Sequence, residues 1–272
     1  MLHEPSARGR DHDVVELAEM SALTDSDLYT RGAETMLAAW EEYARGAADA
    51  AVRRLPGVTA GVFPCGPERA FYNNALLERD LGAAERADAV EAMEAAYAAG
   101  GVKRFAAWVH ESDAPMRGDL EQRGYTLQET TRAMGMALDD IRLPRPEIEL
   151  APADWSEYLR ASRFPPGLLA GADPARFHVL VAPLDGQNVA VALAFDHGSD
   201  CGIYNVGTLE HARRRGLGTA LTTIALHDAR DRGCETASVQ STEMAEGVYA
   251  AAGFRDLGRF LEYGPPGAIV AG

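Results

Sequence analysis

One stretch constrains this chain more than any other: Val206, Gly207 and Thr208, then Arg213-Arg214-Arg215-Gly216-Leu217-Gly218-Thr219, then a long amphipathic pattern. It reads as a strand that ends, a basic glycine-bearing turn, and a helix over residues 216–232 with Leu217, Leu221, Ile224 and Ala225 on one face. The first turn of a helix has free N–H groups and the positive end of the helix dipole, and both attract anions. Glycines let a ligand approach the backbone closely. Three adjacent arginines add charge and forked donors suited to phosphate. The stretch therefore predicts a diphosphate cradle.

The choice of diphosphate narrows by residue type. A P-loop needs a lysine after its glycine, and none stands here. A Rossmann fingerprint needs Gly or Ala where Leu221 stands. Glu235 lies near the distance of a ribose-binding carboxylate, but at the start of its strand rather than the end. A dinucleotide-binding oxidoreductase is kept as an alternative.

Composition sets outer bounds. The 272 residues suffice for two domains, and a hydrophobic fraction of 47% lets each bury a core. A net charge of -15 opposes phosphate-backbone binding, so no nucleic-acid partner is expected; it favours cationic ligands instead. No apolar run reaches the roughly 20 residues of a membrane helix, and residues 1–12 read as a flexible tail without an export signal. The three cysteines, Cys65, Cys201 and Cys234, lack metal or disulfide spacing, so no metal site is expected and a reducing cytoplasm is the expected location.

Periodicity predicts two halves with the same grammar. Residues 14–55 read as helix-rich. Strands follow at 58–63 and 71–77, a helix at 84–99, a strand at 103–110, a helix at 116–123 and a strand at 131–138. Residues 139–147, with Pro144 and Pro146, read as a linker. The second half predicts a strand at 147–150, a helix at 154–162, a hairpin about Asp185-Gly186, a strand at 203–207, the cradle helix, a strand at 237–240, a helix at 243–252 and a strand at 254–263. Arg123-Gly124-Tyr125 can be laid on Ala252-Gly253-Phe254, and Tyr72-Asn73 on Tyr204-Asn205. The pattern suggests an internal duplication, with domains at 13–138 and 148–272.

The residues quoted resemble the GCN5-related N-acetyltransferase (GNAT) family. Its signature, Arg/Gln-x-x-Gly-x-Gly/Ala, is matched by Arg213 to Gly218. Its second motif, a strand, a helix bearing Tyr, then Gly-Phe, is matched by residues 237–254 with Tyr249, Gly253 and Phe254. The resemblance covers residues 148–264. It implies an α/β (α+β) fold of two tandem acyl-CoA N-acyltransferase-type domains, each a mixed, mostly antiparallel twisted sheet flanked by helices. It implies acetyl-CoA as acyl donor and a small-molecule or peptide amine as acceptor. Pantetheine would pair with the backbone of Val206, Gly207 and Thr208, and the pyrophosphate would take N–H groups from about Arg214 to Thr219. Tyr249 would sit near the thioester sulfur. Thr242 stands where many members carry a cofactor-contacting Asn.

The chemistry needs an aligned neutral amine, a route for its proton, and a donor for the leaving thiolate. Tyr249 is assigned the last role. The base is open among Glu210, His211, Asp196, His197 and Glu243. With Gly124 laid on Gly253, Ala87, Asp88 and Ala89 fall at Gly216, Leu217 and Gly218, and Leu120 falls at Tyr249. The N-terminal copy is therefore expected to be degenerate. A non-catalytic acyl-CoA sensor is the other alternative.

Overall fold

A computed structural model describes residues 23–64, 72–152, 155–161 and 171–267. Helix α1 (Asp25–Arg45) begins at a capping box. Thr24 Oγ1 accepts from the Asp27 N–H at 3.2 Å, and the Asp27 carboxylate accepts from the Thr24 N–H at 2.9 Å. The helix buries Met36, Leu37 and Tyr43 as their spacing predicts, and ends at Gly46. Leu17 and Met20 lie outside the described residues. The expected helix does not reach residue 55. Asp49 turns through the left-handed region (φ 57°), and β1 (Ala51–Leu55) pairs antiparallel with β2 (Val58–Val62).

The first half continues with β3 (Asn74–Leu77), α2 (Ala83–Ala99), β4 (Ala106–His110), α3 (Ala114–Gln122) and β5 (Thr126–Ala137). The second holds α4 (Trp155–Ala161), β6 (His178–Leu184), β7 (Gln187–His197), β8 (Asp200–Thr208), α5 (Leu217–Asp231), β9 (Thr236–Ser241), α6 (Glu246–Ala252) and β10 (Arg255–Gly264). The predicted hairpin joins β6 to β7, with Asp185 at φ 51° and Gly186 at φ 77°, the positive pair of a tight hairpin turn. The strand expected at 147–150 is not formed. That segment forms no regular element, and the Ala151 N–H beside it donates to the Val181 carbonyl at 2.9 Å.

All ten strands join one mixed sheet in the order β1-β2-β3-β4-β10-β5-β9-β8-β7-β6. Only β3–β4 and β8–β9 are parallel among its nine ladders. The order reads alike from either edge: β1 to β4 on one side, β6 to β9 on the other, and β10 and β5 side by side between them. Each half has given its last strand to the other. β10 pairs with β4 (Phe260↔His110), β5 pairs with β9 (Met134↔Val239), and the two exchanged strands pair with each other. The sheet is therefore continuous across the linker.

Helix α1 crosses one face of this sheet, packing on β5, β8 and β9 as well as β1 and β2. Gly32 sets the closeness: a Cβ there would stand 2.7 Å from the Ser238 Cβ. The opposite face is covered by α2 and α3 in the first half and by α5 and α6 in the second. The two cores on that side centre on Val90, Met93, Val109 and Leu120, and on Ile203, Leu226, Val239 and Tyr249.

Candidate active site

The site grows out of β8. It pairs parallel with β9 only from Asp200↔Thr236 to Ile203↔Val239. On its other side it stays paired with β7 to Thr208, but with a register shift: Tyr204 opposes Leu193 and Gly207 opposes Val191. Two residues of β8, Asn205 and Val206, thus face one of β7. Asn205 adopts φ 52°, which asparagine tolerates better than most residues. This bulge bends β8 away from β9. From Tyr204 to Thr208 the β9-side edge has no strand partner among the described residues, so the backbone groups of Val206, Gly207 and Thr208 that point away from β7 have no ladder to join.

After Thr208 a short 3₁₀ turn (Glu210–Ala212) buries Ala212, and the chain enters the arginine run. Arg214 (φ 61°) and Gly216 (φ 78°) both take the left-handed region, and Gly216 is the N-cap of α5. No side chain caps this helix and no acid stands in its first turn. The N–H groups of Leu217, Gly218 and Thr219 are therefore not taken by a capping side chain. Arg213 Nε donates to the Thr208 carbonyl at 3.1 Å, which ties the turn back to the strand. Arg214 and Arg215 are exposed and have no ion-pair partner among the described residues. A Cβ at Gly218 would meet Val206 Cγ1 at 3.7 Å and Thr208 Oγ1 at 3.8 Å, so this glycine holds the helix start directly beside the open strand.

Tyr249 lies on α6 in the same buried cluster as Ile203 and Val239, the last rung before β8 and β9 part. It is 5% exposed, and its ring meets Phe254 edge-on at 5.6 Å. Burial raises its hydroxyl to a pKa of about 12. Thr242 caps the 3₁₀ turn (Glu243–Ala245) that links β9 to α6, and its side chain is exposed with no capping bond.

The candidate bases separate by position. Asp196 and His197 end β7 beside the start of β8 (Asp196↔Cys201), at the opposite end of that strand from the cradle. Burial would raise Asp196, but hydrogen bonds from Arg232 (2.6 Å), His178 and Cys201 outweigh it and hold the carboxyl well below its usual range. Such an acid is a poor proton acceptor. Glu210, His211 and Glu243 are exposed near the cradle or the start of α6. Cys201 and Cys234 are buried free thiols, both raised chiefly by burial, Cys234 to about 11. Cys65 lies outside the described residues. Among the described residues no cluster of His, Cys, Asp and Glu could hold a metal, and no helix is long and apolar enough to cross a membrane.

Two of the half-to-half correspondences shift. Ala87, Asp88 and Ala89 lie inside α2, so they do not face the cradle's position. The N-cap of α2 is Gly82, which corresponds to Gly216, and the turn before it is Glu78 to Leu81. There an acid, Glu85, stands in the first turn of the helix. The Gly82 N–H donates to the Glu85 carboxylate at 2.7 Å, and Arg86 is held by Asp119 at 2.6 Å. Tyr72-Asn73 precedes the parallel rungs of β3 (Asn74↔Ala106), whereas Tyr204-Asn205 follows those of β8, so the two pairs are not equivalent. Sequence similarity alone misplaced them because a strand's length is not marked by its residues. Gly124 and Gly253 do correspond: both end the helix before the exchanged strand with positive φ, and Tyr125 and Phe254 after them are buried.

Residues 137–254 match the model of the Acetyltransferase (GNAT) family. The chain carries a GNAT-family acetyltransferase domain there, and this membership supports acyl transfer from acyl-CoA. Solved structures with the same fold include a GCN5-related N-acetyltransferase from Kribbella flavida. It shares 18% identity at a TM-score of 0.67, over 88% of this chain and 96% of that one. A second, from Sphaerobacter thermophilus, shares 18% at 0.58, over 79% and 80%. A functionally unknown conserved protein from Staphylococcus epidermidis shares 12% at 0.56, over 80% and 94%. No curated protein sequence matches significantly.

Proposed function

We propose that the protein moves an acetyl group from acetyl-CoA to a primary amine by direct attack on the thioester. The observation that carries this is the open β8 edge lying against the uncapped start of α5, with Gly218 between them. Pantetheine is an amide chain, and the unladdered edge of β8 along Val206, Gly207 and Thr208 can pair with it as a strand would. The uncapped N–H groups of Leu217 to Thr219 suit a pyrophosphate, with Arg213, Arg214 and Arg215 for charge. Thr242 stands at the entrance to α6, where it can contact the same molecule.

In the reaction the amine lone pair attacks the thioester carbonyl and the C–S bond breaks. The amine's proton leaves to water or a base, and the thiolate takes a proton or hydrogen bond from Tyr249. A phenol with a pKa of about 12 stays protonated at neutral pH, as a donor must. The N-terminal half takes no coenzyme A in this reading: Glu85 occupies its helix start and Leu120 stands where Tyr249 would. It is a degenerate copy, kept as scaffold and as donor of β5.

The test is thiol release from acetyl-CoA across a panel of amines. Amine-dependent release supports the reading. Binding of acetyl-CoA without release by any amine makes the protein an acyl-CoA-binding module instead.

A further inference from the structure

A cavity of about 360 Å³ opens on the α1 face of the first half, between α1, β1, β2 and the turn that follows β3. It does not belong to the cradle. β3 runs parallel to β4, β4 antiparallel to β10, β10 to β5 and β5 to β9, and β9 runs parallel to β8. β3 and β8 therefore point opposite ways, and the turns that follow them lie at opposite ends of the sheet. The volume is at the lower end for small-molecule sites, so the occupant is compact. Leu37, Leu55 and Leu76 give the cavity apolar walls. Thr59, itself 7% exposed, also lines it, and its hydroxyl has no hydrogen-bond partner among the described residues. A buried hydroxyl is ordinarily paired, so this one is open to a polar atom of a ligand.

Charge selects the occupant. Five charged residues line the cavity, Glu34, Arg54, Glu78, Arg79 and Asp80. Arg54 is committed, since it holds Glu34 and Glu41 at 3.0 Å each. Arg79 is not. Its guanidinium lies over the Tyr29 ring at 4.1 Å and has no ion-pair partner among the described residues, in a chain whose acids outnumber its bases 41 to 26. Burial raises the Tyr29 phenol to about 12, so at neutral pH it has no charge to balance Arg79. Stacking occupies the flat face of the guanidinium and leaves the donors on its edge available. Its chain neighbours Glu78 and Asp80 are exposed and lack a cationic partner among the described residues. The Glu78 N–H is tied to the Gly57 carbonyl at 2.9 Å, and Asp80 takes the left-handed region (φ 63°), so this acid–base–acid run is held as a turn at the cavity's edge.

A carboxylic acid without an amine would meet Arg79 but bring its charge beside two unpaired acids. An amine without a carboxylate would leave Arg79 unpaired. A zwitterion matches both signs. We propose that this cavity binds a free α-amino acid with an apolar side chain, its carboxylate on Arg79, its ammonium on Glu78 and Asp80, and its side chain against Leu37, Leu55 and Leu76. The site is separate from the coenzyme A cradle and does not depend on the acyltransferase reading.

The test titrates L-leucine calorimetrically into the full chain, with leucinamide and 4-methylpentanoate as probes that each lack one of the two charges. Wild type is compared with Arg79→Gln and with the double variant Glu78→Gln/Asp80→Asn, in which asparagine suits the left-handed position. Leucine should bind at least tenfold tighter than either probe, the worth of one charge-assisted pair. Arg79→Gln should weaken leucine about tenfold without weakening leucinamide, and the double variant should weaken leucine about tenfold without weakening 4-methylpentanoate. Equal leucine affinity in variants that melt as wild type does, either probe binding as tightly as leucine, or no leucine binding by wild type overturns the proposal. Glycine binding as tightly as leucine overturns the apolar side-chain assignment. Where a variant does not melt as wild type does, the two probes on wild type still decide.

Discussion

Ile203 and Val239 face one another as the last rung of the parallel ladder between β8 and β9. Beyond them β9 runs on to Ser241 with β5 as its partner (Arg132↔Ser241), while β8 turns away on the bulge at Asn205 and stays with β7. The opening is thus held from both sides. β9 cannot follow β8 because a strand from the other half keeps it in place.

That dependence yields a prediction about autonomy. Residues 139–272 expressed alone lack β5 and β4, so β9 loses one neighbour, β10 loses both, and bare backbone edges are exposed. The fragment should aggregate or show no cooperative unfolding, and co-expression with residues 1–138 should restore a soluble complex. A monomeric fragment melting cooperatively near the full chain's temperature would contradict the account.

Tyr249→Phe keeps the buried ring against Phe254 and removes only the hydroxyl. The turnover number should fall by about 10²–10⁴-fold, the usual worth of general acid assistance, with acetyl-CoA affinity unchanged. Because burial lifts this phenol to about 12, the wild-type rate should show no Tyr249-dependent loss between pH 6 and 9. An unchanged turnover number, measured where chemistry limits the rate, removes Tyr249 from the reaction.

Glu262 gives a stability prediction with a definite sign. It lies on β10, cross-strand from Trp108 on β4 and Glu129 on β5, with Thr131 Oγ1 donating to it at 3.3 Å. Burial first, then the Glu129 charge, raises its pKa from 4.5 to about 7. The folded state binds this proton more tightly than the unfolded one, so this residue's contribution to stability falls as pH rises from about 4.5 to 7. Glu262→Gln should therefore stabilise the protein at pH 8 by about 1–3 kcal/mol and much less at pH 5. Denaturant midpoints at the two pH values measure this, and an equal effect at both would show that Glu262 is not raised.

Much of this was legible in the sequence, and the remainder fails for physical reasons. The cradle could be read because helix start, glycines and arginines are consecutive along the chain. Element order could be read because Leu217, Leu221 and Ile224, or the Asp185-Gly186 turn, carry their period and their backbone preference locally. The strand exchange could not, since Phe260 facing His110 is a contact between residues 150 positions apart and neither residue type specifies it. Gly46 marks the end of α1, but β1 (Ala51–Leu55) is an edge strand whose residues show no buried alternation, so its sequence does not announce a strand. The cavity in the first half joins α1, β1, β2 and the turn after β3, and only tertiary packing brings these together. The bulge leaves one local signal, the asparagine at 205, a residue type that tolerates the left-handed region it adopts there.

The central claim is that coenzyme A binds once per chain, at the junction of β8 and α5. Calorimetric titration of acetyl-CoA into wild type and Gly218→Glu tests it most directly. A Cβ at 218 meets Val206 and Thr208 only at ordinary contact distance, so the branch point itself does not clash. The substitution nevertheless places a carboxylate at the helix start, where the pyrophosphate would sit. One equivalent bound per wild-type chain, and none by a Gly218→Glu protein that melts as wild type does, is the predicted result. Two equivalents in wild type, or undiminished binding by the folded variant, would contradict it.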